Sequence, residues 1–306
     1  MMDISRPLAK TRNGRTNLHV WRTGVSYEKQ KGAIYRGEWN NILFSRLPQP
    51  AEESNVLYFD VRRPLPYPDR TFDAVFLLHV VEHLTPEEGE SLLREVYRIL
   101  KPTGIARVST PDLEDICRAY LKCLEEHDRE PAQANLIRYE WSVLELLDQF
   151  VRERSGGLMV EYVKNGRYEP SYAKERYRDV FDEFYAGPPA EAGAKKTFAQ
   201  RLRQLTFKSF VKGVRRRLRE IPGKPHYTPE QRLLSDPYRS GELNRWLYDF
   251  LSLGLLLQET GFERISRKTF ATSDIPHWDR FDLDRSNFGD HPIEPSLYME
   301  AFKPQN

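Results

Sequence analysis

With 306 residues the chain has room for one large domain, or for a core domain carrying a sizeable insertion. Charged residues make up 30% and apolar residues 39%, the balance of a folded globular protein, which excludes an intrinsically disordered chain. A formal net charge of +2 excludes a strong whole-molecule field as the selector of partners, so only the local distribution of charge informs.

Residues 1–17 read as a polar, basic arm without the apolar run of a signal peptide. Leu18-His19-Val20-Trp21 is a short strand candidate, followed by an Arg22-Thr23-Gly24 turn, and a second apolar patch spans Trp39–Phe44. Val56-Leu57-Tyr58-Phe59 ends on Asp60 and is the next strand candidate, with Pro48, Pro50 and Glu52–Ser54 punctuating the gap before it. The continuous apolar run Ala74-Val75-Phe76-Leu77-Leu78 predicts a strand covered on both faces. Thr85-Pro86-Glu87-Glu88 reads as a helix start, with Thr85 as N-cap, Pro86 at the first helical position and a glutamate completing a capping box. Leu92, Leu93, Val96, Ile99 and Leu100 recur at helical spacing, and Lys101-Pro102-Thr103-Gly104 stops the helix. A strand over Ile105–Ser109 and a helix opened by Pro111-Asp112, with Ile116, Tyr120 and Cys123 in register, complete a βαβ pattern with parallel strands and right-handed crossovers.

The pattern changes from 130 to 240, where helices are expected near 133–153 and 196–219; this stretch reads as a helical insertion between the 18–129 and 241–306 parts of an α/β core. A helix over Leu243–Glu259 closed by Thr260-Gly261, and strands over Phe262–Thr269 and Leu297–Phe302, finish the core. Cys117 and Cys123 are the only cysteines and lie six apart in a helix, a spacing poorly suited to a mutual disulfide, so both are expected as buried or half-buried thiols in a reducing compartment. No thiolate metal site can be built from them, and runs such as Leu253–Leu257 are far too short to span a bilayer. The expected location is the cytoplasm, or the periphery of an inner membrane.

Several segments carry a family resemblance. Leu57–Val61, Pro64–Asp73, the strand after it, His79-Val80-Val81-Glu82-His83-Leu84 and Arg98-Ile99-Leu100-Lys101-Pro102-Thr103-Gly104 together resemble the class I S-adenosylmethionine-dependent methyltransferases. Asn244–Tyr248, Leu256–Phe262 and Pro295–Ala301 look like a bacterial branch of that family often linked to surface-polysaccharide enzymes. The resemblance implies a Rossmann-like sheet with helices on both faces and S-adenosylmethionine as cofactor. It implies that Asp60 accepts the adenine amino group, that Val61 packs beside the ring, that His79 and Val80 line the methionine end, and that Gly24 belongs to the first cofactor turn. The loops at strand carboxyl ends form the ligand crevice of such a sheet.

Other readings of the same residues stand beside these. Asp60 also suits a turn cap. His79 and His83 are four apart, but His79 ends a strand and no third ligand is evident, so no metal is expected. Glu82, with His83, is the candidate catalytic pair, Glu82 as a general base near the transferred methyl or as a cap for the following loop. Two departures from the family bear on the cofactor: a single glycine with bulky Trp21 and Arg22 where a glycine-rich turn belongs, and Leu43 where the ribose-binding acid belongs, with Glu38 nearby but out of register. Either the alignment slips here or cofactor affinity is reduced or lost.

Lys195–Arg219 holds ten basic and no acidic residues, with Phe198, Leu202, Leu205, Phe210, Val214 and Leu218 at near-helical spacing. Such a helix suits an anionic membrane surface or phosphates, or packs its apolar face on its own domain. No nucleic-acid motif accompanies the charge, so nucleic acid is not the expected partner. The expected function is methyl transfer to a hydroxyl or similar group on a glycan or other small-molecule acceptor; the alternative is a degenerate methyltransferase fold that binds a ligand or partner without catalysis.

Overall fold

A computed structural model describes residues 8–22, 39–44, 56–153, 156–180, 242–281, 283 and 296–305. Seven strands form one sheet: β1 (Asn17–Arg22), β2 (Trp39–Phe44), β3 (Val56–Phe59), β4 (Phe72–Leu78), β5 (Leu100–Pro111), β6 (Glu263–Lys268) and β7 (Ser296–Phe302). Their order is β3-β2-β1-β4-β5-β7-β6. β1 to β5 run parallel, whereas β7 is antiparallel to both of its neighbours, so the sheet is mixed rather than wholly parallel. The α/β class expected from the sequence is found, as one mixed sheet with helices packed on it. The order reverses between β1 and β4, and an open sheet has its ligand crevice at the carboxyl ends of the strands at such a point.

Strand alternation sorts the side chains into two layers. Leu18, Val20, Ile42, Phe44, Val75 and Leu77 face a core shared with helix α1 (Pro86–Ile99) and helix α6 (Phe250–Glu259). Leu92, Leu93, Val96 and Ile99 of α1 are fully buried there, each contributing about 1.5–3 kcal/mol by leaving water. Thr85 and Glu88 form the reciprocal cap expected of α1, with Pro86 in its first turn. Trp39, Leu43, Ala74, Phe76 and Leu78 point the other way, and among the described residues that face is covered by Ile275, Trp278, Phe281 and Leu283 of the segment after β6.

Helix α6 begins at Phe250, not at Leu243 as the apolar pattern predicts. Asp249 and Ser252 form a capping box that starts it. The residues before it are spent in extended contacts: the Arg245 and Trp246 amides both donate to the Glu82 carbonyl, and the Leu113 amide donates to the Tyr248 carbonyl.

Helices α2 (Leu113–Arg129), α3 (Gln133–Val151), α4 (Gly157–Lys164) and α5 (Pro170–Val180) build a separate core of Cys123, Trp141, Leu144, Met159, Tyr172, Ala173 and Tyr177. Asp112 caps α2 through the Glu114 and Asp115 amides. Only Cys123 of α2 is fully buried, with Ile116 and Tyr120 half-buried, because α2 turns its apolar stripe to the insertion. Cys117 is half-buried, and both thiols are free. The expected helix at 196–219, the Arg22-Thr23-Gly24 turn beyond Arg22, and Glu38 lie outside the described residues.

Candidate functional site

Asp60 ends β3 and lies next to a turn that uses its carboxylate. Oδ1 accepts from the Arg62 amide at 3.2 Å and Nε at 2.8 Å, and Oδ2 accepts from an Arg62 terminal nitrogen at 2.7 Å. Both readings of Asp60 are therefore open to it at once. A carboxylate offers about four acceptor positions, and Arg62 takes three, leaving one on Oδ2 for an exocyclic amine. Partial burial would raise this carboxyl, but the hydrogen bonds and charge of Arg62 more than offset it and hold the group below the usual range. Val61 is only 1% exposed and belongs to the main core, so it supports the turn from beneath instead of lying open beside a ring.

At the end of β4, His79 adopts a left-handed backbone, with φ of 50°. A non-glycine residue there costs energy that its surroundings must repay, a condition that recurs at functional sites. Its amide donates to the Ser109 carbonyl at 2.9 Å, which ties it to β5. Its side chain is 5% exposed, with Nδ1 3.0 Å from Glu82 Oε1 and Nε2 3.0 Å from Ser296 Oγ. Val80 is fully buried in the core. A 3-10 turn over Val81–His83 carries Glu82, whose carboxylate is 1% exposed. Oε2 accepts from Thr110 Oγ1 at 3.3 Å, and His83 Nε2 lies 3.7 Å from Oε1. Burial alone would raise Glu82, but the His83 and His79 imidazoles hold it below the ordinary carboxylate range. His83 faces elsewhere with its other nitrogen, Nδ1 lying 2.9 Å from the Leu243 carbonyl.

Tyr248 completes the wall. Its hydroxyl has no hydrogen-bond partner among the described residues, and a Cβ added at Gly89 would come within 2.9 Å of it. Burial, with Glu82 and Glu87 nearby, pushes this phenol up to about 12. The structure thus joins His79, Glu82 and His83 in one buried cluster and places Asp60 apart at the β3 end. Gly24 lies outside the described residues. Ser109, Thr110, Tyr248 and Ser296 were not among the site residues expected from sequence; Tyr248 and Ser296 lie in segments that carry the family resemblance, but nothing local ties Ser296 to His79, 217 positions away.

The described residues fit an adenosyl cofactor in part. Asp60 retains an acceptor for the adenine amine, and the His79 backbone borders the crevice at the β4 end. At the β2 end the described residues supply no acid for a ribose: Leu43 and Phe44 are 3% and 2% exposed and packed in apolar layers, and the residues after Phe44 lie outside those described. Leu43 moreover pairs with Tyr58 within the ladder, so it is a strand-interior residue and not the strand-end position assigned to it from sequence. Among the described residues no three His, Cys, Asp or Glu side chains gather as a metal site.

Residues 43–108, running from β2 to β5, match the family described as methyltransferase domain. That match implies S-adenosylmethionine as the cofactor. A ubiquinone/menaquinone biosynthesis C-methyltransferase from Citrobacter koseri is 37% identical over 70 residues, which cover 22% of this chain and 27% of that enzyme. The homologous enzyme of Escherichia fergusonii is 39% identical over the same length and shares. The chain thus spans about a quarter of the length of these curated relatives. Among solved structures, an S-adenosylmethionine-dependent methyltransferase from Thermotoga maritima is 13% identical, covering 97% of this chain and 84% of that one, with a TM-score of 0.36. One from Archaeoglobus fulgidus is also 13% identical, covering 94% and 86%, with a TM-score of 0.35.

Proposed function

We propose that the chain transfers a methyl group from S-adenosylmethionine to a hydroxyl or similar group on a glycan or other small acceptor. The observation that carries this reading is the methyltransferase-domain match over 43–108, which covers the strands whose carboxyl ends hold Asp60 and His79. When bound, the cofactor supplies an electrophilic methyl, and the protein's part is alignment and exclusion of water. In this reading Asp60 orients the adenine, Gly24 lies in the turn beneath the cofactor, and His79 and Val80 border its methionine end. Val61 holds the Asp60 turn in place from the core. Glu82 and His83 form the polar wall beside the transferred methyl. The insertion supplies the acceptor side, an assignment favoured by its attachment at this wall: the Asn244 amide donates to the Gln149 carbonyl at 2.9 Å, and Arg152 pairs with Glu242 at 2.7 Å.

Calorimetric titration with S-adenosylhomocysteine tests the reading. Wild type is expected to bind, and Asp60→Ala to bind more weakly by about 1–3 kcal/mol, the cost of deleting a charged hydrogen-bond partner. The buried apolar end of β2 favours a second reading, a methyltransferase fold that binds a partner without catalysis. Absence of heat at millimolar ligand would select it.

The basic run Lys195–Arg219 lies outside the described residues, and we propose from its sequence that it contacts an anionic membrane surface. Among the described residues no helix is long and apolar enough to cross a membrane. Co-sedimentation with anionic vesicles should fall as salt rises, since such attraction is screened within about 10 Å at 0.1 M. Equal binding to neutral and anionic vesicles would refute the contact.

A further inference from the structure

The last two turns of α3 reverse the usual arrangement of a surface helix, in which charged side chains face water and apolar ones face the core. Glu145 and Asp148 are buried, held by Arg176 at 3.1 Å and Arg152 at 2.7 Å, whereas Leu147 and Val151, one turn apart, stand 50% and 62% exposed. Leu158, at the start of α4, is exposed close by, its amide fixed to the Asp148 carboxylate at 2.7 Å.

The same surface continues onto the segment before α6. The Asn244 amide donates to the Gln149 carbonyl at 2.9 Å. Gln149 is two residues from both Leu147 and Val151, and Asn244 is two residues from Trp246, whose indole is exposed. Phe250 and Leu251 follow, exposed in the first turn of α6. The Trp246 amide donates to the Glu82 carbonyl at 3.1 Å, which sets this surface at the rim of the candidate site. Single exposed apolar side chains need no partner, but six shared among neighbouring elements mark an interaction surface.

We propose that Leu147, Val151, Leu158, Trp246, Phe250 and Leu251 form a membrane-docking face, which inserts among the headgroups and upper acyl chains of an anionic phospholipid bilayer. Two observations select lipid as the occupant. Arg245 adjoins Trp246, and the Arg267 guanidinium lies 5.6 Å from the Phe250 ring; both are exposed enough to meet phosphates while bonded to Glu88 and Asp112. An indole flanked by guanidinium groups suits a headgroup layer, where apolar bodies enter lipid and polar atoms stay wet. The second observation is where the chain returns. Residues 181–241 lie outside the described residues and carry the ten basic and no acidic residues of Lys195–Arg219. The chain re-enters at Glu242, bonded to Arg152 at 2.7 Å and to the Gly156 amide at 2.9 Å, next to Val151 and Leu158. A cationic run tethered at an apolar face matches a surface that is anionic outside and apolar beneath.

The proposal takes its lipid charge from the anionic-surface reading of that run, its residues from the described surface, and nothing from methyl transfer. Salt separates the two contacts. Electrostatic attraction is screened within about 3 Å at 1 M, whereas burial of apolar area persists.

The test uses the whole chain with vesicles of phosphatidylcholine and phosphatidylglycerol whose acyl chains carry bromine, a short-range quencher of indole. Trp39, Trp141 and Trp278 are buried, so Trp246 is the tryptophan placed to report, and the Trp246→Phe difference isolates its emission. Vesicle-bound wild type should lose Trp246 emission to the brominated chains, and the fraction still bound at about 1 M salt should remain quenched. Leu147→Glu with Val151→Glu should weaken vesicle partition on the order of 10²-fold, since two apolar side chains leave lipid and two charges are added. Leu121→Glu should leave partition unchanged: Leu121 is comparably exposed, but lies about 12 Å along α2 from the bond between Leu113 and Tyr248. Bound wild type with Trp246 unquenched overturns the docking face while salt-sensitive binding leaves the basic run's contact standing. Wild type that binds no vesicle overturns both. Shielding of Trp246 from acrylamide without lipid assigns the face to this chain itself, and a wild-type dimer that the Leu147 and Val151 changes dissociate assigns it to a second copy; either result overturns the proposal. Quenching and shielding are read on wild type, so a variant that fails to fold cannot obscure them.

Discussion

His19 occupies the middle of β1, its ring stacked on Phe76 at 5.1 Å between centroids and edge-on to Trp39 at 6.4 Å. Burial lowers this imidazole to about 3, with the Asn41 side chain opposing the shift. Folding therefore excludes a proton that the unfolded chain takes up below about pH 6.5. The stabilisation is full above that pH, declines as pH falls toward 3, and declines no further below it. The loss is about 2 kcal/mol by pH 5 and on the order of 4–5 kcal/mol at the lower end. Urea unfolding at pH 7 and pH 5 should show this difference in wild type and lose most of it in His19→Phe; equal pH dependence in both would assign the effect elsewhere. At this scale the family resemblance pointed to Asp60 and His79 at strand ends, and Glu82 and His83 were candidates from the short run that follows His79. It could not show that Asp60 is shared with Arg62 or that Val61 and Val80 are sealed in the core, since burial depends on distant chain.

Elements follow local chemistry where caps are strong. α1 begins at its predicted Thr85-Pro86 start because the capping box satisfies its first amides from within four residues. α6 shows the limit: the apolar pattern runs back to Leu243, yet Arg245 and Trp246 are committed to the Glu82 carbonyl, 160 residues away in the chain for the neighbouring His83–Leu243 pair. The start of α4 tests an element held by one buried acid. Asp148 accepts from the Leu158 amide at 2.7 Å and from Arg152 at 2.7 Å, and Gly157, with φ of +54°, packs against that carboxylate so closely that a Cβ would collide with it. Gly157→Ala should cost about 1–3 kcal/mol, from left-handed strain plus displacement of a buried charged hydrogen-bond network. Hydrogen exchange should show the loss in α3 and α4 while β4 and β5 stay protected. Unchanged exchange in α4 would mean that the carboxylate shifts without cost.

Across the whole molecule, one buried ion pair ties the second face of the sheet to its cover. Arg107 of β5 lies opposite Glu300 of β7, both fully buried, with nitrogen and oxygen 2.8 Å apart. The guanidinium stacks 4.3 Å from the Trp278 ring and donates to the Thr269 and Thr272 carbonyls, while Glu300 accepts from the Asp274 amide and the Ser273 hydroxyl. The pair therefore pins the 269–278 segment over Phe76. Glu300→Gln leaves a buried cation without its counter-charge and should destabilise by about 3–5 kcal/mol, with Trp278 fluorescence shifting to the red as its cover loosens. An unshifted spectrum and unchanged urea midpoint would show that the pair contributes nothing net.

The sequence by itself determined the α/β class, the positions of the sheet strands and the start of α1, because apolar runs, strand alternation and helix caps act within about a dozen residues. The antiparallel direction of β7 and the meeting of Ser296 with His79 were decided by the tertiary structure alone. Strand direction depends on which edge is left open when the parallel strands have paired, and a hydrogen bond across 217 residues leaves no trace in local spacing. The candidate site was legible where chain ends a strand, and illegible where two distant strands bring their side chains to the same imidazole.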